Sequence, residues 1–118
     1  MIEVSLKDEK TIELGMSGDV VAEDYETIRP ELERIFSRSG KMKFLINTEK
    51  VKHFTLGATY QDIKFDLQHF KYIGTTAIVG TQRFSDVLTK VADKFYPEKI
   101  EHFETTADAM SWLKGYPN

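Results

Sequence analysis

Hydrophobic and polar residues alternate strictly at the start of the chain. Apolar residues occupy every second position over 2–6 and again over 12–16, on either side of a short polar connection at 8–9. A period of two is typical of strands with one buried face. The pattern therefore predicts an antiparallel hairpin with one face on the core and one in water, ending at 17–19.

From 22 to 39 the period becomes helical. Apolar residues recur at intervals of three and four, acidic residues crowd the first turn, and Gly40 is a natural stop. Pro30 lies inside this segment, where its ring would clash with the preceding turn. The sequence predicts either a kink there or a helix that starts near Arg29. The apolar stripe consists of Tyr25, Ile28, Leu32 and Ile35.

Residues 42–80 predict a βαβ unit. An apolar strand at 42–47 is followed by a polar connection at 48–53, a long amphipathic helix at 55–72 and a second strand at 76–80. Two strands joined by a crossover helix are expected to be parallel. The uncharged segment 76–80 suits a central strand covered on both faces.

The remaining sequence predicts a further helix, strand and helix. An apolar stripe over 84–95 ends at Pro97, a short strand follows at 99–103, and 105–108 resembles a capping box before the last helix. The order ββαβαβαβα predicts one α/β domain over 1–118 with a mixed sheet of about five strands.

The composition of the chain excludes several classes of function. With 41% hydrophobic and 30% charged residues, the chain is expected to fold. A formal charge of −3 gives no electrostatic footprint for nucleic acid, and the absence of cysteine excludes disulfides and thiol nucleophiles. Because no apolar run has the length of a signal peptide or a membrane span, we expect a cytoplasmic protein without a transmembrane segment.

No catalytic motif emerges from the spacing of polar residues. The chain contains no Gly-x-Ser-x-Gly elbow and no phosphate-binding glycine loop, and its three histidines are scattered. Asp62, Asp66 and His69 share a helical face that could hold a metal, but no fourth ligand is nearby and a solvated face is the favoured interpretation. We therefore predict no enzymatic activity, no cofactor and no metal site.

The helix predicted at 55–72 carries apolar residues on two faces. Since the sheet can cover one of them, we expect the other to contact something else. That contact could be an apolar small molecule held between this helix, the helix at 84–95 and the sheet, or a second copy of the chain in a homodimer. The residues expected to wall such a pocket are Leu56, Tyr60, Ile63, Leu67, Phe84 and Leu88.

Two further features have alternative readings. Thr55 begins the predicted crossover helix, where it could act as an N-cap or as a phosphoacceptor. A basic cluster flanks the strand at 42–47 and is either solvated or a weak site for an anionic partner or lipid headgroup. The cluster consists of Lys41, Lys43, Lys50, Lys52 and His53.

Several runs together resemble the SpoIIAA-like family. They are 18–25 (Gly-Asp-Val-Val-Ala-Glu-Asp-Tyr), 29–32 (Arg-Pro-Glu-Leu), 77–80 (Ala-Ile-Val-Gly), the amphipathic segment 84–95 and 109–115 (Ala-Met-Ser-Trp-Leu-Lys-Gly). The resemblance covers nearly the whole chain in the same element order. It implies a STAS-like α/β fold, related in shape to anti-sigma-factor antagonists and to CRAL-TRIO lipid carriers.

The resemblance also implies a function. It favours a non-catalytic domain that binds an apolar or lipid-like molecule between amphipathic helices and the sheet; the alternative is a STAS-type regulatory module that docks on a protein partner. Anti-sigma-factor antagonists carry a phosphorylatable serine in an Asp-Ser-Ser-Gly run where the crossover helix begins. Here 53–57 reads His-Phe-Thr-Leu-Gly, with one hydroxyl and no acidic neighbour.

Overall fold

The computed structural model describes residues 1–54, 72–80 and 99–116, which form a five-stranded sheet and two helices. The helix predicted at 84–95 lies outside these residues, and so does the helix predicted at 55–72 except for its last position, Tyr72. In the described part of the chain no helix is long and apolar enough to cross a membrane. The elements are β1 (Ile2–Asp8), β2 (Thr11–Val20), α1 (Ala22–Ser39), β3 (Met42–Phe54), β4 (Ile73–Val79), β5 (Ile100–Phe103) and α2 (Thr106–Lys114).

The strands follow one another across the sheet in chain order, β1-β2-β3-β4-β5. β1 and β2 are antiparallel, whereas β2, β3, β4 and β5 run parallel to one another. The predicted mixed sheet of five strands is therefore confirmed, as is the parallel pairing of the two strands in the βαβ unit. Parallel strands end at a common edge, so the carboxyl ends of β2 to β5 lie on one side of the molecule.

β2 and β3 are longer than the sequence predicts. β2 continues to Val20 and β3 continues to Phe54, so the predicted hairpin end at 17–19 and the predicted connection at 48–53 are wrong. The two extensions pair with each other, with Ser17 opposite Lys50. The hydrogen bonds between strands join backbone groups, so polar side chains do not prevent them. Thr48 and Val51, both buried, hold this polar stretch against the interior.

α1 covers one face of the sheet. It runs without a break through Pro30, so the alternative of a helix starting near Arg29 is wrong. Tyr25, Ile28 and Leu32 are buried as the stripe predicts, and this packing offsets the hydrogen bond that Pro30 cannot donate. The helix ends at Gly40, whose N–H donates to the Phe36 carbonyl at 2.8 Å.

α2 covers the opposite face of the sheet. Its N-cap is Thr105, whose Oγ1 accepts a hydrogen bond from the Asp108 N–H at 3.1 Å, as expected for the first half of a capping box. β4 is buried at every position from Gly74 to Val79, which confirms the prediction of a central strand covered on both faces. The second core comprises Leu45, Ala77, Val79, Ala109 and Leu113.

Lys43 is a buried cation beneath α2. Its Nζ donates to the carbonyl of Leu113 at 2.5 Å, in the last turn of that helix. The carbonyls at a helix C-terminus carry partial negative charge and lack partners within the helix. The ammonium group therefore ties β3 to the end of α2.

The face of the β1–β2 hairpin away from α1 is polar, as the alternation predicts. Glu3, Ser5 and Lys7 are exposed, and the Lys7 ammonium lies 3.3 Å from the Glu13 carboxylate. The opposite side chains of the hairpin pack under α1. Those buried there are Ile2, Ile12, Leu14 and Met16.

Candidate functional site

Charged and hydrogen-bonding side chains gather at the carboxyl ends of the parallel strands. Asp19 and His53 stand near the ends of β2 and β3, while Gly80 and His102 stand at the ends of β4 and β5. This is the edge of an open α/β sheet where ligands and partners generally bind. The edge divides into an exposed half and a half in which the polar groups bond to one another.

The exposed half is the pair formed by Asp19 and His53. Asp19 Oδ1 lies 2.7 Å from His53 Nδ1, and the two side chains are 70% and 79% exposed. Because a carboxylate accepts, Nδ1 carries the proton and Nε2 is the acceptor nitrogen of the neutral ring. The pair thus offers carboxylate oxygens and an oriented imidazole to anything that approaches this edge.

The strand register brings this pair together. Four steps along β2, from Gly15 to Asp19, correspond to six steps along β3, from Asn47 to His53. An unbroken register would instead place Val51 opposite Asp19. Gly18, with a φ of 64°, adopts the left-handed conformation at the second irregularity. Such irregularities redirect side chains and are frequent beside functional sites.

The other half of the edge holds the chain that leaves β4. Thr48 Oγ1 donates to the Val79 carbonyl at 2.8 Å, and His102 Nε2 donates to the Gly80 carbonyl at 2.6 Å. Gly80 has a φ of 143°, and a Cβ built there would overlap Thr48 Oγ1. Thr48 is buried, with 1% of its surface exposed. The Thr48–Gly80–His102 network therefore fixes the backbone after β4.

The predicted pocket and phosphoacceptor residues lie outside the described residues, as do Asp62, Asp66 and His69. Within 1–54, 72–80 and 99–116, no three His, Asp or Glu side chains form a group able to hold a metal ion. The residues predicted to line the pocket or accept phosphate are Thr55, Leu56, Tyr60, Ile63, Leu67, Phe84 and Leu88.

The predicted basic cluster is divided by the structure. Lys50, Lys52 and His53 are exposed at the carboxyl end of β3, whereas Lys41 precedes the other end of the strand. Lys43 is buried against α2 and does not belong to a surface cluster. Sequence reasoning missed the Asp19–His53 pair because its members are 34 positions apart and no periodicity encodes an irregular register.

A mixed sheet of this order, with α1 on one face and α2 on the other, defines an α/β domain of the STAS-like class. The sequence model of the SpoIIAA-like family matches residues 11–114. The chain belongs to the SpoIIAA-like family. No curated protein matches the chain in sequence.

Solved structures of other proteins resemble the chain over nearly all of its length, including the following two. One is an uncharacterised protein of the DUF3478 family with a SpoIIAA-like fold from Shewanella loihica PV-4, with 28% identity and a TM-score of 0.76 over 96% of this chain and 92% of that one. The other is the anti-sigma-factor antagonist SpoIIAA in its unphosphorylated form. It shares 13% identity and a TM-score of 0.66 over 100% of both chains, which shows a common fold.

Proposed function

We propose that this chain is a non-catalytic regulatory domain that docks on a protein partner through the carboxyl ends of β2 and β3. The observation that carries the proposal is the exposed Asp19–His53 pair at those ends. The similar fold of an anti-sigma-factor antagonist, which is named for its action on another protein, supports the same class of function.

The composition of this edge suits a protein surface. Asp19 and His53 supply an acceptor and an oriented ring, and Val21, two positions after Asp19 in the chain, is 39% exposed. Lys50 and Lys52 add positive charge close by. An exposed pair of polar side chains contributes little to folding, so the Asp19–His53 pair is available to form contacts with a partner at small cost to the domain.

Thr55 is the proposed point of regulation. It follows Phe54, the last residue of β3, and is the one hydroxyl in the run 53–57. A phosphate on Thr55 would add about two negative charges two positions after His53 in the chain. We expect that change to alter partner binding, and Thr55→Glu to alter it in the same direction.

The test compares proteins captured by the wild type and by Asp19→Arg after crosslinking, followed by affinity measurement with the purified partner. Glu9→Arg is the matched control, because it makes the same charge change at an exposed position in the β1–β2 turn. The proposal expects binding to the wild type and the control and loss of binding to Asp19→Arg. Equal binding of the partner to all three proteins would contradict it.

A second candidate function is the binding of an apolar or lipid-like molecule. Ile78 is fully buried although α2 packs on the other face of β4, at Ala77 and Val79. Both faces of this strand are therefore shielded from water. The amphipathic segments 55–72 and 84–95 are the proposed cover of the face away from α2, with a guest molecule between them and the sheet. The proposed lining is Leu56, Tyr60, Ile63, Leu67, Phe84 and Leu88.

Native mass spectrometry of protein purified without detergent, followed by solvent extraction, tests this second function. An added mass that extracts into organic solvent, and that is reduced in Tyr60→Asp relative to the wild type, would support it. A clean mass of the protein alone, with no uptake of fatty acid or a hydrophobic dye, would exclude it.

A further inference from the structure

β1 stands at one end of the sheet, and among the described residues no strand pairs with its outer edge. Met1 and Ser17 exchange two backbone hydrogen bonds, of 2.8 and 2.9 Å, at the start of the β1–β2 ladder. The register from Ile2 to Leu6 is regular, so Glu3 and Ser5 also bond toward β2. In an antiparallel ladder the alternate residues then direct their N–H and C=O groups outward. Those residues are Ile2, Val4 and Leu6.

The side chains of β1 alternate with the same period. Val4 packs on the core beneath α1, and Leu6, which follows it on that face, is 58% exposed. Glu3, Ser5 and Lys7 lie on the polar face. One strand therefore presents an outward row of backbone groups, an exposed leucine on one face and the charges of Glu3 and Lys7 on the other, where Lys7 also contacts Glu13 of its own chain.

We infer that β1 pairs antiparallel with β1 of a second copy of this chain, about a two-fold axis at Ser5. In this register Val4 faces Leu6 of the second copy, and both direct their backbone groups across the interface. Glu3 then faces Lys7 of the second copy, at a position without backbone hydrogen bonds, where opposed side chains approach most closely. Two-fold symmetry repeats each contact.

Neighbouring registers lack this complementarity. Moving the axis to Val4 places Glu3 opposite Ser5, and moving it to Leu6 places Glu3 opposite Glu9. A shift of the pairing by one residue would set outward backbone groups against residues already bonded to β2. Among registers with matched backbone bonding, the axis at Ser5 is the one that opposes Glu3 and Lys7.

The interface is one strand wide on each copy, so it falls in the small class, below about 1,200 Å² in total. We therefore expect a dimer that dissociates on dilution. Lys7 and the irregular register between Leu6 and Asp8 are also devices by which an edge strand resists pairing. Charge reversal distinguishes a Lys7 that prevents pairing from a Lys7 that contacts Glu3 of the second copy. Only in the second case should an opposite charge on the other copy restore the dimer.

Sedimentation velocity from micromolar to millimolar protein is the test. The wild type should form a dimer, and Glu3→Lys and Lys7→Glu should each raise the dimer dissociation constant about tenfold or more, because each opposes like charges twice. An equimolar mixture of the two variants should associate again, since each variant then meets the opposite charge on the other. Glu9→Lys, which makes the same charge change in the turn, should dimerise like the wild type.

Circular dichroism of each variant is the control that the monomer is still folded. Val4→Pro adds a test of the backbone contact, because it removes an outward N–H and proline is tolerated at a strand edge; it should abolish the dimer. A wild type that stays monomeric at every concentration, a dimer that survives both charge reversals, or a mixture that fails to associate would overturn the inference.

Discussion

The carboxyl edge of the sheet has an open half, formed by Asp19 and His53, and a closed half, formed by Thr48, Gly80 and His102, and the two have different roles. Each half contains a histidine bonded to an oxygen atom, at 2.6 Å for His102 and 2.7 Å for His53. His102 donates to the backbone carbonyl of Gly80, where Thr48 leaves no room for a side chain. His53 meets another exposed side chain. We expect the contacts of His102 to stabilise the fold, whereas the Asp19–His53 contact can be lost without unfolding the domain.

The most severe break in the closed half should come from Gly80→Ala. The added Cβ would overlap Thr48 Oγ1, and the φ of 143° is strained for any L side chain. We expect a loss of about 3 kcal/mol in the free energy of unfolding, measured by urea denaturation. Gly40→Ala is the control, since φ there is 72° but no atom lies within 4 Å of the added Cβ. It should cost about 1 kcal/mol, from backbone strain alone; an equal loss at both positions would contradict the proposed overlap.

Thr48→Val should have an intermediate effect. It keeps the volume of the side chain but removes the hydroxyl that donates to the Val79 carbonyl in the interior. Leaving that carbonyl without its donor should cost about 1–2 kcal/mol of unfolding free energy in the same urea experiment. A variant as stable as the wild type would show that this hydrogen bond does not hold the closed half together.

Thr48→Ala and Gly80→Ala should be coupled. Deleting Oγ1 removes the atom nearest the added Cβ, so Gly80→Ala should destabilise the Thr48→Ala protein by less than it destabilises the wild type. We expect a coupling free energy of about 1 kcal/mol from a double-mutant cycle. Strict additivity would mean that backbone strain, and not the contact with Thr48, reserves this position for glycine.

The smallest effect on stability should come from the open half. His53→Ala removes a hydrogen-bonded pair of side chains that are 79% and 70% exposed, and such exposed pairs contribute less than about 1 kcal/mol. The urea midpoint should therefore stay close to that of the wild type. A loss of unfolding free energy as large as that of Thr48→Val would mean that His53 stabilises the fold, and the two halves would then not differ in role.

The fold was accessible from the sequence wherever local spacing encodes it. The hairpin alternation, the stripe beneath α1 and the cap at Thr105 each depend on residues a few positions apart. Lys43 was misjudged because its partner, the Leu113 carbonyl, lies 70 positions away. The ends of β2 and β3 were missed because the hydrogen bonds that extend them belong to the backbone. The Asp19–His53 pair depends on two irregularities of register, which leave no trace in a hydrophobic pattern.

The role of the open half is tested most directly by the affinity of the captured partner for Asp19→Arg, measured by titration calorimetry beside the wild type and Glu9→Arg. We predict at least a tenfold loss of affinity in Asp19→Arg, with the urea midpoint unchanged and the control binding like the wild type. An affinity equal to that of the wild type would contradict the account.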